Sequence, residues 1–154
     1  MYPEYLRING RKRCLPNEFN QSDKLYRSYE LADLDDSGRI SLETIKFPDV
    51  SFNWSKFSEP KDIIYRKNGR PTDGCYSITV ETSRFENIAT PVHDPIDDYD
   101  NPNYAHVEIR VLKDGEDFNF EPSKGRKLNS KAKKLRYRQN IRKNHVKEIY
   151  PVLL

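Results

Sequence analysis

The stretch from Asn103 to Leu112 constrains the fold most, because polar and apolar residues alternate along it almost without interruption. Successive side chains of a β-strand point to opposite faces, so this period predicts a strand. The residues that we expect on its buried face are Ala105, Val107, Ile109 and Val111. The opposite face then carries Tyr104, His106, Glu108 and Arg110. One face is therefore expected to contribute stability, and the other is a candidate for chemistry.

A second strand with the same alternation is predicted from Cys75 to Thr82. Asn9-Gly10 lies between alternating residues and predicts a hairpin over 5–15, because both residues tolerate positive φ. A short strand is also expected over 39–45. The segment 89–103 carries three prolines and four aspartates, which favours a loop.

Three helices are predicted from their capping residues and spacing. Ser22 is a suitable N-cap for a helix over 23–32, and Ser58 with Pro60 indicates the start of a short helix. The segment 128–143 has high helix propensity, with Leu128, Ala132 and Leu135 spaced along one face. Beyond it, 146–154 is apolar and is expected to dock on the body or on a partner.

Together these elements predict an α+β fold with a small, mainly antiparallel sheet, short flanking helices and a basic C-terminal helix. A chain of 154 residues is about one domain. The expected division is a single body over 1–123 and a basic helical arm with an apolar C-terminus over 124–154.

The distribution of charge is uneven although the formal net charge is only +3. From Lys124 to Lys147, which we call the basic segment, there are 11 basic residues and no acidic residue. The remaining 16 basic and 24 acidic residues give the rest of the chain a net charge of −8. This segregation predicts either binding of a polyanion or folding of the basic segment back onto the acidic body.

The sequence contains no run of about 18 apolar residues and no apolar stretch near Met1, so a cytoplasmic protein without membrane contact is expected. Cys14 and Cys75 lie far apart and lack the C-x-x-C spacing, which favours buried free thiols. No cofactor is predicted.

The segment Asp33–Thr44 resembles the calcium loop of an EF-hand, with Asp33, Asp35 and Gly38 at loop positions 1, 3 and 6. Position 12 must supply a bidentate carboxylate but is Thr44, which favours a polar turn instead. His106 and Glu108 with His93 and Asp94 are the other candidate ligand set for a divalent metal. No two histidines are closely spaced, so no metal site is predicted.

Two sets of residues are candidates for function. The candidate catalytic residues are His106, Glu108, Tyr104 and Arg110, which with Arg27 or Lys56 nearby would supply an acid, a base and phosphate stabilisation for cleaving RNA. In the basic segment, positive charges interleaved with an aromatic residue are typical of nucleic-acid binding. The candidate binding residues are Arg126, Lys127, Lys131, Lys133, Lys134, Arg136, Tyr137, Arg138, Arg142 and Lys143, with Tyr137 expected to stack on a base.

Two short patterns, Ser51-Phe-Asn-Trp-Ser-Lys56 with Pro60-Lys-Asp62 and Asn103-Tyr-Ala-His-Val-Glu108, resemble those of small uncharacterised prokaryotic proteins. The resemblance covers residues 39–112 and implies a prokaryotic cytosolic origin, but no activity.

The first functional hypothesis is therefore a nucleic-acid-associated binding or adaptor protein that uses its basic helix on RNA or DNA. The first alternative is a small metal-independent ribonuclease or toxin-like enzyme with its site on the 104–110 strand face. The second is an assembly subunit that docks on a protein partner through the C-terminal arm.

Overall fold

A computed structural model describes residues 3–63 and 70–148, which form one six-stranded sheet flanked by short helices. The strands are β1 (Lys24–Tyr29), β2 (Val50–Trp54), β3 (Gly74–Thr79), β4 (Ala89–His93), β5 (His106–Val111) and β6 (Val146–Glu148). Their order in the sheet is β4-β5-β2-β1-β3-β6, and every neighbouring pair is antiparallel. The α-helices are α1 (Val80–Ser83) and α2 (Lys131–Asn144). The predicted α+β class is confirmed.

The strand predicted from residue alternation is β5, which lies inside the sheet between β4 and β2. Ile109 faces Val50 on one neighbour and Pro91 on the other. Ala105, Val107, Ile109 and Val111 are all buried, as predicted. The strand begins at His106, because the backbone at Tyr104 and Ala105 forms a turn.

The helix predicted over 23–32 is wrong, since Lys24–Tyr29 form β1 and Leu31–Asp33 form a separate 3₁₀ helix. All six residues of β1 pair with β3, from Lys24 opposite Thr79 to Tyr29 opposite Gly74. The helix propensities of ordinary residues differ by less than about 1 kcal/mol per residue. The free energy gained by pairing with neighbouring strands therefore outweighs the preference of 23–32 for a helix.

Part of the loop predicted over 89–103 is also a strand. β4 pairs with β5 along its whole length and forms one edge of the sheet. Pro91 is tolerated there because an edge strand has one side without ladder hydrogen bonds. The remainder, 94–103, is a loop closed by a single bridge between Ile96 and Asn103.

The hairpin predicted over 5–15 and the strand predicted over 39–45 are absent. Asn9 and Gly10 do form a turn, with φ of 49° and 76°, and the Arg11 amide donates to the Ile8 carbonyl across it at 2.9 Å, but no strand forms on either side. Over 39–45 the chain makes one bridge, Leu34 to Ile40, and then a 3₁₀ helix, Leu42–Thr44. The helix expected at Pro60 is present as the 3₁₀ helix Pro60–Ile63.

Helix α2 confirms the predicted C-terminal helix, although it buries a different face. Ser130 caps it by accepting a hydrogen bond from the Lys133 amide. Tyr137 and Ile141 are buried, whereas Leu135 is 48% exposed, so the predicted apolar face is wrong. Leu128 is buried but lies before the helix begins.

The basic segment shares the core of the body. Leu128, Tyr137 and Ile141 belong to the same hydrophobic cluster as Trp54, and β6 extends the sheet beside β3. The predicted division into 1–123 and 124–154 therefore does not separate two cores. The predicted apolar C-terminus beyond Glu148 lies outside the described residues. Cys14 and Cys75 are buried free thiols, as predicted.

His93 is a buried polar residue that joins the N-terminal segment to the core. Its side chain is 1% exposed; Nδ1 accepts a hydrogen bond from the Cys14 amide at 2.7 Å, and Nε2 donates to the Tyr104 carbonyl at 2.6 Å. The ring packs edge-on against Trp54 and Tyr104. Burial lowers the pKa of His93 below its ordinary value.

We expect the protein to lose stability as pH falls below about 6.5, because the unfolded chain then binds a proton that buried His93 does not. The change His93→Gln keeps an acceptor and a donor but cannot titrate. Its melting temperature should be lower at pH 7 and should change less between pH 7 and pH 5. Thermal unfolding followed by circular dichroism measures both.

Some pH dependence should remain in the variant, because burial also lowers the pKa of His145. A His93→Gln profile parallel to that of the parent would show that His93 does not contribute to acid sensitivity.

Candidate functional site

Tyr104 does not share the polar face of β5 with the other three predicted catalytic residues. Tyr104 is 3% exposed and lies in the turn before the strand, where strand alternation does not apply. Its ring packs against His93 and Phe57, and its hydroxyl donates to the Lys12 carbonyl. The grouping of Tyr104 with His106 is therefore wrong, and Tyr104 has a structural role.

Glu108 and Arg110 do lie on the predicted face, but they bind each other. Arg110 donates to Glu108 Oε1 from Nε at 3.1 Å and from Nη2 at 2.8 Å, and Lys124 approaches Oε2 at 3.1 Å. Burial raises the pKa of Glu108, but the hydrogen bonds from Arg110 and Lys124 outweigh it and hold this pKa below its ordinary value. A carboxylate held in this way is a weak proton acceptor, which disfavours a role as general base.

His106 has one ring nitrogen that accepts a hydrogen bond from a hydroxyl. Nδ1 lies 2.8 Å from the Asp94 carbonyl, and since a carbonyl only accepts, Nδ1 must carry the proton. In the neutral ring Nε2 is then the acceptor, and it lies 3.2 Å from the Ser51 hydroxyl. His106 is thus held in the tautomer in which Nε2 can act as a base.

A gap between β1 and β2 brings other polar groups to His106. These strands pair only at Leu25–Trp54 and Tyr26–Asn53, and beyond that point they separate. The Arg27 side chain spans the opening, where Nη1 donates to the Ser51 carbonyl at 2.7 Å. A cavity of about 180 Å³ forms there; its lining includes Tyr26, Arg27, Ser51, Phe52, Asn53 and His106. Arg27 and His106, both among the predicted catalytic groups, therefore line the same cavity.

All four arginines of the basic segment bond to groups of the body. Arg142 bonds Asp35 at 2.7 Å, Arg136 bonds Glu86 at 3.0 Å, and Arg126 bonds Glu116. Arg138 donates to the Ile45 carbonyl at 2.8 Å. Tyr137 is fully buried and its hydroxyl donates to the Ser83 carbonyl, so the prediction that it stacks on a base is wrong.

In the segment that resembles a calcium loop, both carboxylate oxygens of Asp35 already accept hydrogen bonds from protein groups. Asp35 Oδ1 accepts from the Ser37 and Arg39 amides at 2.9 and 3.2 Å, while Oδ2 accepts from Arg142. Hydrogen bonds from Ser37 and Arg142 hold the pKa of Asp35 well below its usual range. Over residues 3–63 and 70–148, His, Cys, Asp and Glu form no group of three or more that would hold a metal ion.

An open basic surface lies at the amino-terminal end of α2. A groove of about 530 Å³ lies between the end of β5 and the residues before the helix, and we call it the basic groove. Its polar lining comprises Lys113, Asp114, Arg126, Lys127, Asn129, Ser130 and Lys133. Lys113 and Lys127 are exposed and make no salt bridge within the described part of the chain. Lys133 lies 3.6 Å from Asp114, whose side chain is fully exposed.

Two residues of these sites were missed by the sequence analysis. Lys113 directly follows the predicted strand 103–112, so its position beside the basic segment needed only the direction of that strand. Ser51 had no local signal, because its approach to His106 depends on the pairing of β2 with β5.

If Glu108 is structural, Glu108→Gln should lower the free energy of unfolding by about 1–3 kcal/mol, since it leaves Arg110 and Lys124 with a neutral partner. Urea denaturation at pH 7 measures this change. The matched control is Glu59→Gln, which removes an exposed pair with Lys61 and should change stability by less than about 0.5 kcal/mol. Equal effects of the two substitutions would contradict a structural role for Glu108.

Comparison of the chain with protein-family models, with curated proteins and with solved structures finds no match. Within residues 3–63 and 70–148, no helix is long and apolar enough to cross a membrane. A functional assignment therefore has to come from the geometry of the sites themselves.

Proposed function

We propose that the protein binds nucleic acid, RNA or DNA, through the basic groove. The observation that carries the proposal is the groove itself, in which four cationic side chains and one carboxylate line about 530 Å³ of open space. Phosphate groups are the ligands that a surface of this charge and width favours.

The number of phosphate contacts follows from which cations are free. Arg126 is held by two hydrogen bonds to Glu116, so we count Lys113, Lys127 and Lys133 as the contacting residues. The exposed partner of Lys133 is easily replaced by a phosphate, because exposed ion pairs contribute only about 0–1 kcal/mol. The groove therefore supports about three contacts, and not the 11 that the charge of the basic segment suggests.

The salt dependence of binding distinguishes these two numbers. Three contacts predict that log K falls with log[salt] with a slope of about −2 to −3, whereas 11 contacts predict about −8 to −10. Fluorescence anisotropy with labelled single- and double-stranded oligonucleotides over a salt series measures the slope.

The triple substitution of Lys113, Lys127 and Lys133 by Gln should abolish most of this slope and weaken binding at least tenfold at low salt. The matched control replaces Lys12, Lys61 and Lys143 by Gln, which removes the same charge from exposed lysines outside the groove. Equal losses in the two variants would show that binding follows net charge and not the groove, and would overturn the proposal.

The second candidate function is metal-independent cleavage of RNA, and the observation in its favour is the shared cavity of Arg27 and His106. In this hypothesis His106 Nε2 takes the proton of a 2′-hydroxyl, whose oxygen attacks the adjacent phosphorus. The bond from phosphorus to the 5′-oxygen of the next nucleotide breaks, which leaves a 2′,3′-cyclic phosphate, and the departing oxygen takes a proton from water or from the His106 imidazolium. Arg27 stabilises the phosphate charge. The third hypothesis, an assembly subunit, stays a prediction, because most of the apolar segment that would dock lies beyond Glu148.

If His106 is the base, the protein should cleave an RNA oligonucleotide but not the DNA of the same sequence, which lacks the 2′-hydroxyl. His106→Gln should reduce the rate by about 10²- to 10⁴-fold, while Ser51→Ala should retain it. Gel electrophoresis of end-labelled substrates gives the rates, and melting temperatures confirm that both variants are folded. Loss of activity in Ser51→Ala would indicate that Ser51 takes part in the reaction and would contradict a reaction carried by the 2′-hydroxyl alone.

A further inference from the structure

Tyr76 presents a buried hydroxyl without a partner. Its side chain is 1% exposed, and its hydroxyl oxygen has no hydrogen-bond partner among the described residues. Tyr137, which is equally buried, donates its hydroxyl to the Ser83 carbonyl at 2.6 Å. A buried polar group without a partner costs about 1–3 kcal/mol, so the position of the Tyr76 hydroxyl requires an explanation.

A cavity of about 150 Å³ lies next to this tyrosine, on the face of the sheet that also carries Phe52 and Ile78. Its lining includes Arg27, Tyr29, Asp33, Ile40, Lys46 and Tyr76. The basic groove has an entirely different set of lining residues. A volume near 150 Å³ admits a molecule of about the size of benzene, which is too small for a nucleotide.

The charges around the cavity favour an anion. Arg27 and Lys46 contribute two positive charges and Asp33 one negative charge, so the lining has an excess of one positive charge. Asp33 already accepts a hydrogen bond from the Glu30 amide at 2.8 Å. The only acceptor of the Arg27 guanidinium over 3–63 and 70–148 is the Ser51 carbonyl, so further N–H groups of this side chain are available to a ligand.

We propose that this cavity is a binding site for a small oxyanion, a carboxylate or phosphate group, held by the Tyr76 hydroxyl and by the charges of Arg27 and Lys46. The hydroxyl donates to one anion oxygen, and this bond supplies the partner that Tyr76 lacks. The guanidinium of Arg27 offers parallel donors to the same group, which is the geometry that oxyanions favour. An ordered water would also satisfy the hydroxyl, but an anion gains in addition from its attraction to the excess positive charge of the lining.

The test is a chemical-shift titration of the full chain with sodium acetate and with sodium phosphate, each compared with sodium chloride at equal ionic strength and pH. We expect saturable shifts of residues around the cavity with at least one of the two oxyanions and none with chloride. The anion that saturates identifies the group that the site prefers. Absence of saturation with both, or the same shifts with chloride, would overturn the proposal.

Tyr76→Phe removes only the hydroxyl. The dissociation constant of the oxyanion should increase about tenfold, the size expected for the loss of one hydrogen bond to a charged group. The melting temperature without ligand should stay equal or rise, because the substitution also removes the unpaired polar atom. The matched control is Tyr137→Phe, which should lower the melting temperature and leave the dissociation constant within about twofold.

Lys46→Gln provides a second variant that does not disturb the core, since Lys46 is exposed, and it should also weaken the oxyanion several-fold. The triple substitution in the basic groove should leave oxyanion binding unchanged. An unchanged dissociation constant in both Tyr76→Phe and Lys46→Gln would place the anion elsewhere and overturn the proposal without affecting nucleic-acid binding at the groove.

Discussion

The packing of the basic segment against the body is the interaction on which most of the structure depends. It places α2 against the sheet with Tyr137 and Ile141 in the core, and it adds β6 to the edge beside β3. Burial of each large side chain contributes about 1.5–3 kcal/mol, whereas an exposed ion pair contributes about 0–1 kcal/mol. The two buried residues and the strand pairing therefore hold the segment, and its ion pairs with Asp35, Glu86 and Glu116 fix its orientation.

The same packing limits what the positive charge of the segment can do. Arginines at 126, 136 and 142 are paired with carboxylates, and Arg138 is bonded to a backbone carbonyl. A charge count along the sequence therefore overstates the surface available to a polyanion. What remains is concentrated where the helix begins, beside Lys113 at the end of β5, and it is at this place that we propose nucleic-acid binding.

The sheet is incomplete between β1 and β2, and the cavity that His106 lines lies at this gap. Ladder pairing stops after Tyr26 and Asn53, and Arg27 spans the space between the strands. Arg27 lines this cavity together with His106 and Ser51, and it also lines the cavity of Tyr76 and Lys46. A single arginine thus contributes positive charge to both cavities, which is why a candidate base and a candidate anion site occur so close together.

The sequence by itself determined the features that arise within a few residues of one another. The alternation over 103–112 and 75–79, the C-terminal helix, the left-handed turn at Asn9-Gly10 and the contrast between a basic segment and an acidic body were all legible from residue order, whereas 80–82 of the predicted second strand belong to α1. Only the tertiary structure decided that 24–29 is a strand, that β4 pairs along β5, that Tyr104 and Glu108 are buried, and that Ser51 meets His106. The physical reason is that helix and strand periods are local, whereas strand partners, their register and the burial of a polar side chain depend on residues far apart in the chain.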